Sequence, residues 1–288
     1  MPTSATSPDN VPTSYPEYRA PAADPAPVRD AATVVLLRDG VGGPEAFTLT
    51  RATSMAFSAG ATVFPGGRVD PGDDLPEQFW AGTDLEPWVP MLGPDPALAR
   101  QLLAAAIRET FEECGVLLVR PSCGRALADP RDFEEERAQL ESRELSFADF
   151  LAAHRLVPDV GLLRPLSRWI TPVGEPRRYD TRFFLAALPA GQEPRQVSGE
   201  ASAVQWLDAA TALEWFRDGS TFLMPPTWSQ FHYLQGFGTV AEALDASPDC
   251  SPIQPEIVPD AQPLRVRFAL EDGYYADSPH HTTASDPG

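Results

Sequence analysis

The chain has 288 residues, 43% of them hydrophobic, which is enough to form a buried core in one sizeable domain or two small ones. Its formal net charge of −19 argues against general binding to nucleic acids or to anionic membrane surfaces, because both require a basic face. All 22 basic residues are arginine, which excludes a lysine Schiff base and a P-loop lysine. Any phosphate must therefore be bound through local arginines or a metal ion.

The cysteines and the hydrophobic runs indicate the cellular compartment. Cys114, Cys123 and Cys250 are odd in number and lack metal-ligand spacing, so we expect reduced, structural thiols. No apolar run of about 18 residues is present, and the first residues lack the layout of a signal peptide. These features predict a cytoplasmic protein. They give no indication of its oligomeric state.

The N-terminal part of the chain changes from a polar tail to predicted strands. Residues 1–30 are rich in Pro, Ala, Ser and Thr, and we expect them to form a mostly disordered tail. Apolar, β-branched residues at 31–38 and the segment 45–51 flank a glycine-rich turn, which predicts a hairpin. Residues 58–67 are predicted to form a short strand followed by a Pro-Gly-Gly turn.

A long loop is predicted between this turn and the next helix. Residues 70–96 are interrupted by Pro, Gly and Asp, and loops of this length are usually either functional or mobile. Trp80 and Trp88 lie within it. They could cap a ligand site, but anchoring the loop to the surface is the commoner use of such residues.

An amphipathic helix is predicted over about 96–114, ending at Gly115. At roughly 100° per residue, its apolar side chains fall in one arc: Leu103, Ile107, Phe111 and Cys114. Three carboxylates converge on nearly the opposite side: Glu109, Glu112 and Glu113. Their mutual repulsion would be offset by a divalent cation such as Mg²⁺, which prefers oxygen ligands. A solvated acidic face and a metal-binding face both remain open on these residues alone.

The remaining chain alternates between predicted helices and strands. Helices are expected at about 132–143, 146–154, 208–217 and 226–235, and strands within 168–188 and 197–207. Residues 246–263 are rich in Pro, Ser and Asp, and 264–270 could add a late strand. The final residues, which include His280 and His281, are expected to be frayed.

The densest basic cluster of this acidic chain lies at 177–182. Arg177, Arg178 and Arg182 could hold a phosphate through forked hydrogen bonds, although pairing with nearby acidic residues is about equally plausible. Glu200 is predicted to lie in a turn just before a strand.

Two segments together resemble the Nudix hydrolase box: FPGG at 64–67 and RETFEECGV at 108–116. In that family a glycine is followed by five residues, a glutamate, seven residues and an Arg-Glu-apolar-x-Glu-Glu-x-Gly-apolar run. Here Gly67 is the leading glycine and Asp73 stands where the family has glutamate. Between Asp73 and Arg108 lie 34 residues instead of seven.

That interruption is similar to a branch of the family that includes the peroxisomal coenzyme A diphosphatase. The resemblance implies an α+β fold, a Nudix-type α/β/α sandwich around a mixed sheet, over residues 31–245. The insertion falls at about 74–97 and extra helices at about 132–154, and residues 246–288 form a Pro-rich C-terminal extension. CoA-type members carry an upstream arginine whose place is taken here by Ala56, and Arg51 is a candidate substitute.

The resemblance also implies a mechanism and a set of residues. Mg²⁺ or Mn²⁺ held by Glu109, Glu112, Glu113 and the carbonyl of Gly66 would neutralise a diphosphate and orient a water for attack. Arg108 would hold a carboxylate through a bidentate pair. The general base is expected to be Glu200 or one of the helix glutamates, and the expected catalytic and substrate-binding residues are Arg108, Glu112, Glu113, Glu200, Arg51, Gly66, Gly67, Arg178 and Arg182.

The predicted activity is hydrolysis of a nucleoside diphosphate linked to another moiety, with CoA or an acyl-CoA-like compound as a candidate substrate. The small-molecule diphosphate would be the binding partner, without nucleic acid or membrane. An alternative is a catalytically weak Nudix-like module that binds or senses a nucleotide. Asp73, the split box and Ala56 motivate this alternative.

Overall fold

A computed structural model describes residues 25–51, 60–122, 127–197, 201–258, 261 and 265–279. The strands are β1 Val28–Gly40, β2 Gly43–Arg51, β3 Ala61–Val63, β4 Gly66–Arg68, β5 Val119–Pro121, β6 Leu156–Pro158, β7 Leu163–Ile170, β8 Arg178–Ala187, β9 Ala201–Asp208, β10 Phe222–Leu223, β11 Pro252–Ile253, β12 Glu256–Val258 and β13 Arg265–Arg267. The helices are α1 Val89–Leu92, α2 Pro96–Cys114, α3 Glu134–Glu141, α4 Phe147–His154, α5 Ala209–Arg217, α6 Pro225–Leu234, α7 Val240–Asp245 and α8 Glu271–Asp277.

Nine of the strands in the described ranges form one mixed sheet. The order is β10-β3-β2-β1-β8-β7-β11, with β4 also paired to β1 and β9 to β2. β1 and β2 are antiparallel, as the hairpin prediction requires, whereas β1 and β8 are parallel. Two further two-stranded sheets join β5 to β6 and β12 to β13.

The sheet has a hydrophobic core on each face because the side chains of a strand alternate between its two sides. On β1, Val34 and Leu36 belong to the core that contains α2 and α4, whereas Val35 and Leu37 belong to the core that contains α5 and α6. Helices therefore cover both faces. This arrangement confirms the predicted α/β/α sandwich.

Helix α2 has the predicted limits. Asp95 caps its start by accepting a hydrogen bond of 2.9 Å from the backbone N–H of Ala97, and Pro96 occupies the first turn. Gly115 ends it at φ 73°, a left-handed conformation that glycine adopts readily. The apolar arc is fully buried, so this face forms the centre of the first core: Leu103, Ile107, Phe111 and Cys114.

The segment 70–96, predicted to be one long loop, contains several short helical elements. Short 3₁₀ turns occupy much of it, at Pro71–Asp73, Glu77–Trp80 and Glu86–Trp88, and α1 follows. Trp80 and Trp88 are 3% and 6% exposed and belong to the first core. The ring centroid of Trp88 lies 5.8 Å from that of Phe184 on β8. Both tryptophans therefore anchor the insertion to the core.

The first and last ordered elements also differ from the prediction. β1 begins at Val28, so order starts three residues before the predicted limit of the tail, and residues 1–24 lie outside the described residues. At the other end, β13 confirms the late strand, but α8 was not predicted. Tyr274 of α8 is 1% exposed and packs in the second core. His280 and His281 lie outside the described residues.

The described cysteines are buried thiols. Burial raises the pKa of Cys114 to about 12 and that of Cys250 to about 11. Both values fit unreactive structural thiols. Cys123 lies outside the described residues.

None of the helices in the described ranges combines the length and the hydrophobicity that a membrane crossing requires.

Candidate active site

The polar side of α2 is organised around a buried arginine. Arg108 donates from Nε to Oδ1 of Asp73 at 2.7 Å and from Nη2 to Oδ2 of Asp73 at 2.9 Å. Asp73 is fully buried and also accepts a hydrogen bond of 2.8 Å from the backbone N–H of Asp70. Asp73 therefore forms the bidentate pair that the sequence predicted for Arg108 with an unnamed carboxylate.

The same guanidinium group contacts two of the three glutamates. Arg108 Nη1 lies 2.9 Å from Oε1 of Glu109 and 3.1 Å from Oε2 of Glu112. Although burial lowers the pKa of Arg108, its hydrogen bond to Asp73 and the charges of Glu109, Asp73 and Glu112 raise it overall. Arg108 is therefore a permanent cation at the centre of the carboxylate cluster.

The carboxylates are not a solvated face. Burial raises the pKa of Glu109 to about 7, against the opposing charge of Arg108, and it raises the pKa of Glu112 in the same way. Side chains of Glu109 and Glu112 are only 13% and 11% exposed. A negative charge at either position therefore lacks full solvation, which favours binding of a further cation.

Glu113 connects α2 to the Pro-Gly-Gly turn. Its Oε2 accepts a hydrogen bond of 2.9 Å from the backbone N–H of Gly66. Gly66 begins β4, which pairs with β1. The two halves of the split box are thus joined directly.

Gly67 is required because Glu109 lies against it. A Cβ atom at position 67 would lie 2.5 Å from Cδ and Oε1 of Glu109. Since such distances are not tolerated, any larger residue must displace this carboxylate. The second glycine of the turn therefore sets the position of Glu109.

We expect Gly67→Ala to lower kcat by about 10–100-fold, because small displacements of reacting groups have effects of this size. The melting temperature should change little, because the obstructing atoms end a flexible side chain. Steady-state kinetics and thermal denaturation of the purified variant would measure both effects. Gly42→Ala is the matched control, since a Cβ at Gly42 meets nothing within 4 Å. Equal activity of the two variants would contradict the role of Gly67.

These residues line a cleft of about 1020 Å³. Arg108 and the three glutamates form part of its wall together with β4. A second part of the wall is mainly apolar: Leu140, Leu145, Phe147, Trp169, Ile170, Met224, Pro225, Pro226, Pro255 and Val266. The cleft therefore combines a charged region on α2 with apolar surfaces from several other elements.

The three glutamates are ligands of the type that a divalent cation prefers, but their side chains are not arranged around a metal position. Within the described ranges, no three His, Cys, Asp or Glu side chains are already gathered closely enough to hold a metal ion. Glu109 and Glu112 instead bond to Arg108. A divalent cation bound beside these carboxylates would compensate for the solvation that they lose through burial. Glu109, Glu112 and Glu113 are the residues that could hold it.

Two of the arginines that were predicted to bind the substrate lie away from the cleft. Arg178 donates to the backbone carbonyls of Thr171 and Pro172, and Arg182 pairs with Asp30 at 2.6 Å. Arg178 and Arg182 are 7% and 2% exposed and do not line the cleft. Strand alternation explains this, because the cleft-facing side chains of β8 are Tyr179, Thr181 and Phe183. Pairing with acidic residues, the other possibility stated for this cluster, is correct for Arg182.

The other predicted site residues either line the cleft or lie outside the described residues. Arg51, Gly66 and Gly67 line the cleft, as does Arg177 of the basic cluster. Glu200 and Ala56 lie outside the described residues. The assignment of Glu200 as a general base therefore stays a prediction.

Sequence reasoning missed several polar residues of the cleft, among them Arg68, Asp70 and Arg143. Arg68 directly follows the Pro-Gly-Gly turn and could have been noticed for that reason. Arg143 lies in the turn between α3 and α4, and its approach to Asp70 at 3.2 Å depends on how these helices fold. No local sequence signal marks it.

The family model of the NUDT19 Nudix domain matches residues 95–234. The chain is 30% identical over 275 residues to the acyl-coenzyme A diphosphatase NUDT19 of Gallus gallus, covering 77% of this chain and 71% of that protein. The chain therefore belongs to the Nudix hydrolase family. It is 29% identical over 235 residues to the protein of the same name from Homo sapiens, covering 67% and 61%.

A solved structure gives the same result. The crystal structure of a Nudix hydrolase from Alicyclobacillus acidocaldarius aligns with a TM-score of 0.62 at 32% sequence identity. The alignment covers 77% of this chain and 99% of that one. These matches confirm the family resemblance and the fold that were predicted from the split box.

Proposed function

We propose that the protein is a divalent-metal-dependent hydrolase that cleaves the diphosphate bond of a nucleoside diphosphate linked to another moiety. The observation that carries this proposal is the set of three carboxylates on one helix, Glu109, Glu112 and Glu113, which line a cleft and are held by Arg108 and Gly66. Mg²⁺ or Mn²⁺ bound there would supply charge neutralisation of the diphosphate and activation of water.

The residues of the chain have separate tasks in this proposal. Arg108, fixed by Asp73, orients Glu109 and Glu112 toward one place on the cleft wall. Glu113 holds the Pro-Gly-Gly turn against α2 through Gly66. Glu200 or one of the glutamates of α2 would accept the proton of the attacking water.

The size and character of the cleft support a large, partly apolar substrate. Its volume of about 1020 Å³ is at the upper end of the range for small-molecule sites, roughly 300–1,000 Å³. The apolar wall formed by residues such as Trp169 and Val266 offers contact to a group without charge. We therefore propose CoA or an acyl-CoA-like compound as the substrate class, the class named for the two NUDT19 relatives.

A substrate panel tests the proposal. The purified chain would be incubated with Mg²⁺ or Mn²⁺ and CoA, acyl-CoA, NADH or ADP-ribose, and products would be separated by chromatography. We expect a nucleoside monophosphate-type product, formed fastest from CoA or acyl-CoA and abolished by EDTA. Absence of product from every compound with either metal ion would contradict the hydrolase assignment.

A binding or sensing module is the second candidate. It is motivated by the 34 residues that separate Asp73 from Arg108 and by Ala56 in the place of the upstream arginine. One reason for this candidate was the aspartate at position 73, where the family has glutamate. That reason no longer applies, because Asp73 forms a complete bidentate pair with Arg108. Tight binding of a panel compound without product after long incubation would support this candidate, and turnover would eliminate it.

A further inference from the structure

The turn between α3 and α4 forms one wall of the cleft. Leu140 and Glu141 at the end of α3, Arg143 in the turn, and Leu145 and Phe147 beyond it all line the cleft. The family's split box contains none of these residues. The two extra helices therefore add side chains directly to the candidate active site.

The backbone of this turn is unusual at Arg143. Its φ is 63°, in the left-handed region that residues with a Cβ adopt only at a cost. Within the described ranges, Arg155 at φ 56° is the other non-glycine residue with a positive φ, and it does not line the cleft. Both residues stand where a helix ends, Arg143 after α3 and Arg155 after α4, so the left-handed conformation ends each helix. It also sets the direction in which the Arg143 side chain leaves the turn.

Arg143 is connected to the carboxylate cluster through a short series of contacts. Its Nη2 lies 3.2 Å from Oδ2 of Asp70, and Oδ1 of Asp70 lies 2.8 Å from Nε of Arg68. The backbone N–H of Asp70 bonds to Asp73, which binds Arg108. Arg143 and Arg68 therefore lie beside the same network that positions the glutamates.

Two guanidinium groups share one carboxylate in this part of the cleft. Asp70 is one carboxylate between two guanidinium groups, Arg143 and Arg68, whose side chains are 67% and 39% exposed. The nearby Glu141 pairs with Arg137 at 3.0 Å, and neither arginine pairs with it in the described contacts. Such a pair of guanidinium groups is notable in a chain with a net charge of −19, because an anionic substrate is repelled by the protein as a whole.

We propose that Arg143, supported by Arg68, binds phosphate oxygens of the diphosphate substrate and thereby draws an anion into an acidic protein. Guanidinium groups form forked, charge-assisted hydrogen bonds to phosphate, which an ammonium group cannot reproduce. Asp70 fixes both arginines in place before the substrate arrives. This inference rests on the proposed function.

Arg143→Gln tests the proposal, with Arg131→Gln as matched control. Arg131 lies just before the extra helices, is 66% exposed and pairs with Asp129 rather than lining the cleft. We expect Arg143→Gln to raise KM for the best substrate of the panel about tenfold or more and to change kcat by less than about threefold. Arg143→Lys should recover only part of the loss, and Arg131→Gln should match the wild-type protein.

A second measurement separates this inference from the proposed function. Binding of inorganic pyrophosphate with Mg²⁺, followed by isothermal titration calorimetry, requires no turnover. We expect Arg143→Gln to weaken it and Arg131→Gln to leave it unchanged. If the wild-type protein turns over the panel but Arg143→Gln equals Arg131→Gln in KM and in pyrophosphate affinity, the inference is overturned while the hydrolase assignment stands.

Stability distinguishes a binding role from a purely structural one. Arg143→Gly removes the side chain and relieves the left-handed backbone, so its melting temperature should be at or above that of the wild-type protein while KM rises. A lowered melting temperature with an unchanged KM would show that Arg143 serves the fold, and would overturn the proposal.

Discussion

Glu112→Gln and Glu113→Gln are each expected to lower kcat by about 10²–10⁴-fold, the range for loss of a group that takes part in proton transfer or charge stabilisation. Each change removes a negative charge from the set of carboxylates on α2 but keeps the size of the side chain. For Glu112 the amide would also face Arg108 Nη1, which now lies 3.1 Å from Oε2. Steady-state kinetics with the preferred metal ion would measure the loss.

A control for this result is Glu135→Gln, the same substitution on the exposed surface of α3. It should leave kcat within about twofold, as expected for a surface change away from the cleft. Metal-dependent thermal stabilisation should be reduced in the two α2 variants and retained in Glu135→Gln. Unchanged turnover in both α2 variants would show that the metal site has been assigned to the wrong residues.

Asp73→Ala is expected to lower the free energy of unfolding by about 3–5 kcal/mol, the range for removing one partner of a buried ion pair. Asp73 is fully buried and forms two hydrogen bonds with Arg108, whose side chain is 10% exposed. Without Asp73, Arg108 retains its charge in a poorly solvated place. Urea denaturation monitored by tryptophan fluorescence would measure the difference.

The adjacent Asp74 provides the control for this prediction. It is exposed, so Asp74→Ala should change the free energy of unfolding by no more than about 0.5 kcal/mol. Asp73→Ala should also lose activity, because Arg108 would no longer be fixed opposite Glu109 and Glu112. If both variants unfold at the same urea concentration, the Asp73 pair does not stabilise the fold as its burial implies.

The helix and the motif were predictable because their signals are local. Apolar periodicity, Pro96 and Gly115 define α2 without reference to the rest of the chain. The carboxylates alone left a solvated face and a metal site open, and the metal site was favoured only by their context: Arg108, Gly115 and the Pro-Gly-Gly turn before the helix. In the structure, the backbone N–H of Gly66 in this turn donates a hydrogen bond to Glu113 of the helix.

Other features depend on tertiary contacts that composition does not encode. The insertion looked like a loop because Pro and Gly are frequent in it, yet Trp80 and Trp88 bury enough apolar surface to fix it on the core. Arg178 and Arg182 looked like phosphate ligands, but a strand shows alternate residues to opposite sides. Which side faces a cleft is decided by the packing of the sheet.

The C-terminal hairpin has a consequence for how substrate preference can change. Pro255, just before β12, and Val266 of β13 line the cleft, although both lie beyond residue 234, where the match to the family model ends. Substitutions in this late segment would reshape the apolar wall without touching any residue of α2. Part of the apolar wall is thus encoded well beyond the helix that carries the three glutamates, and this part can vary without changing that helix.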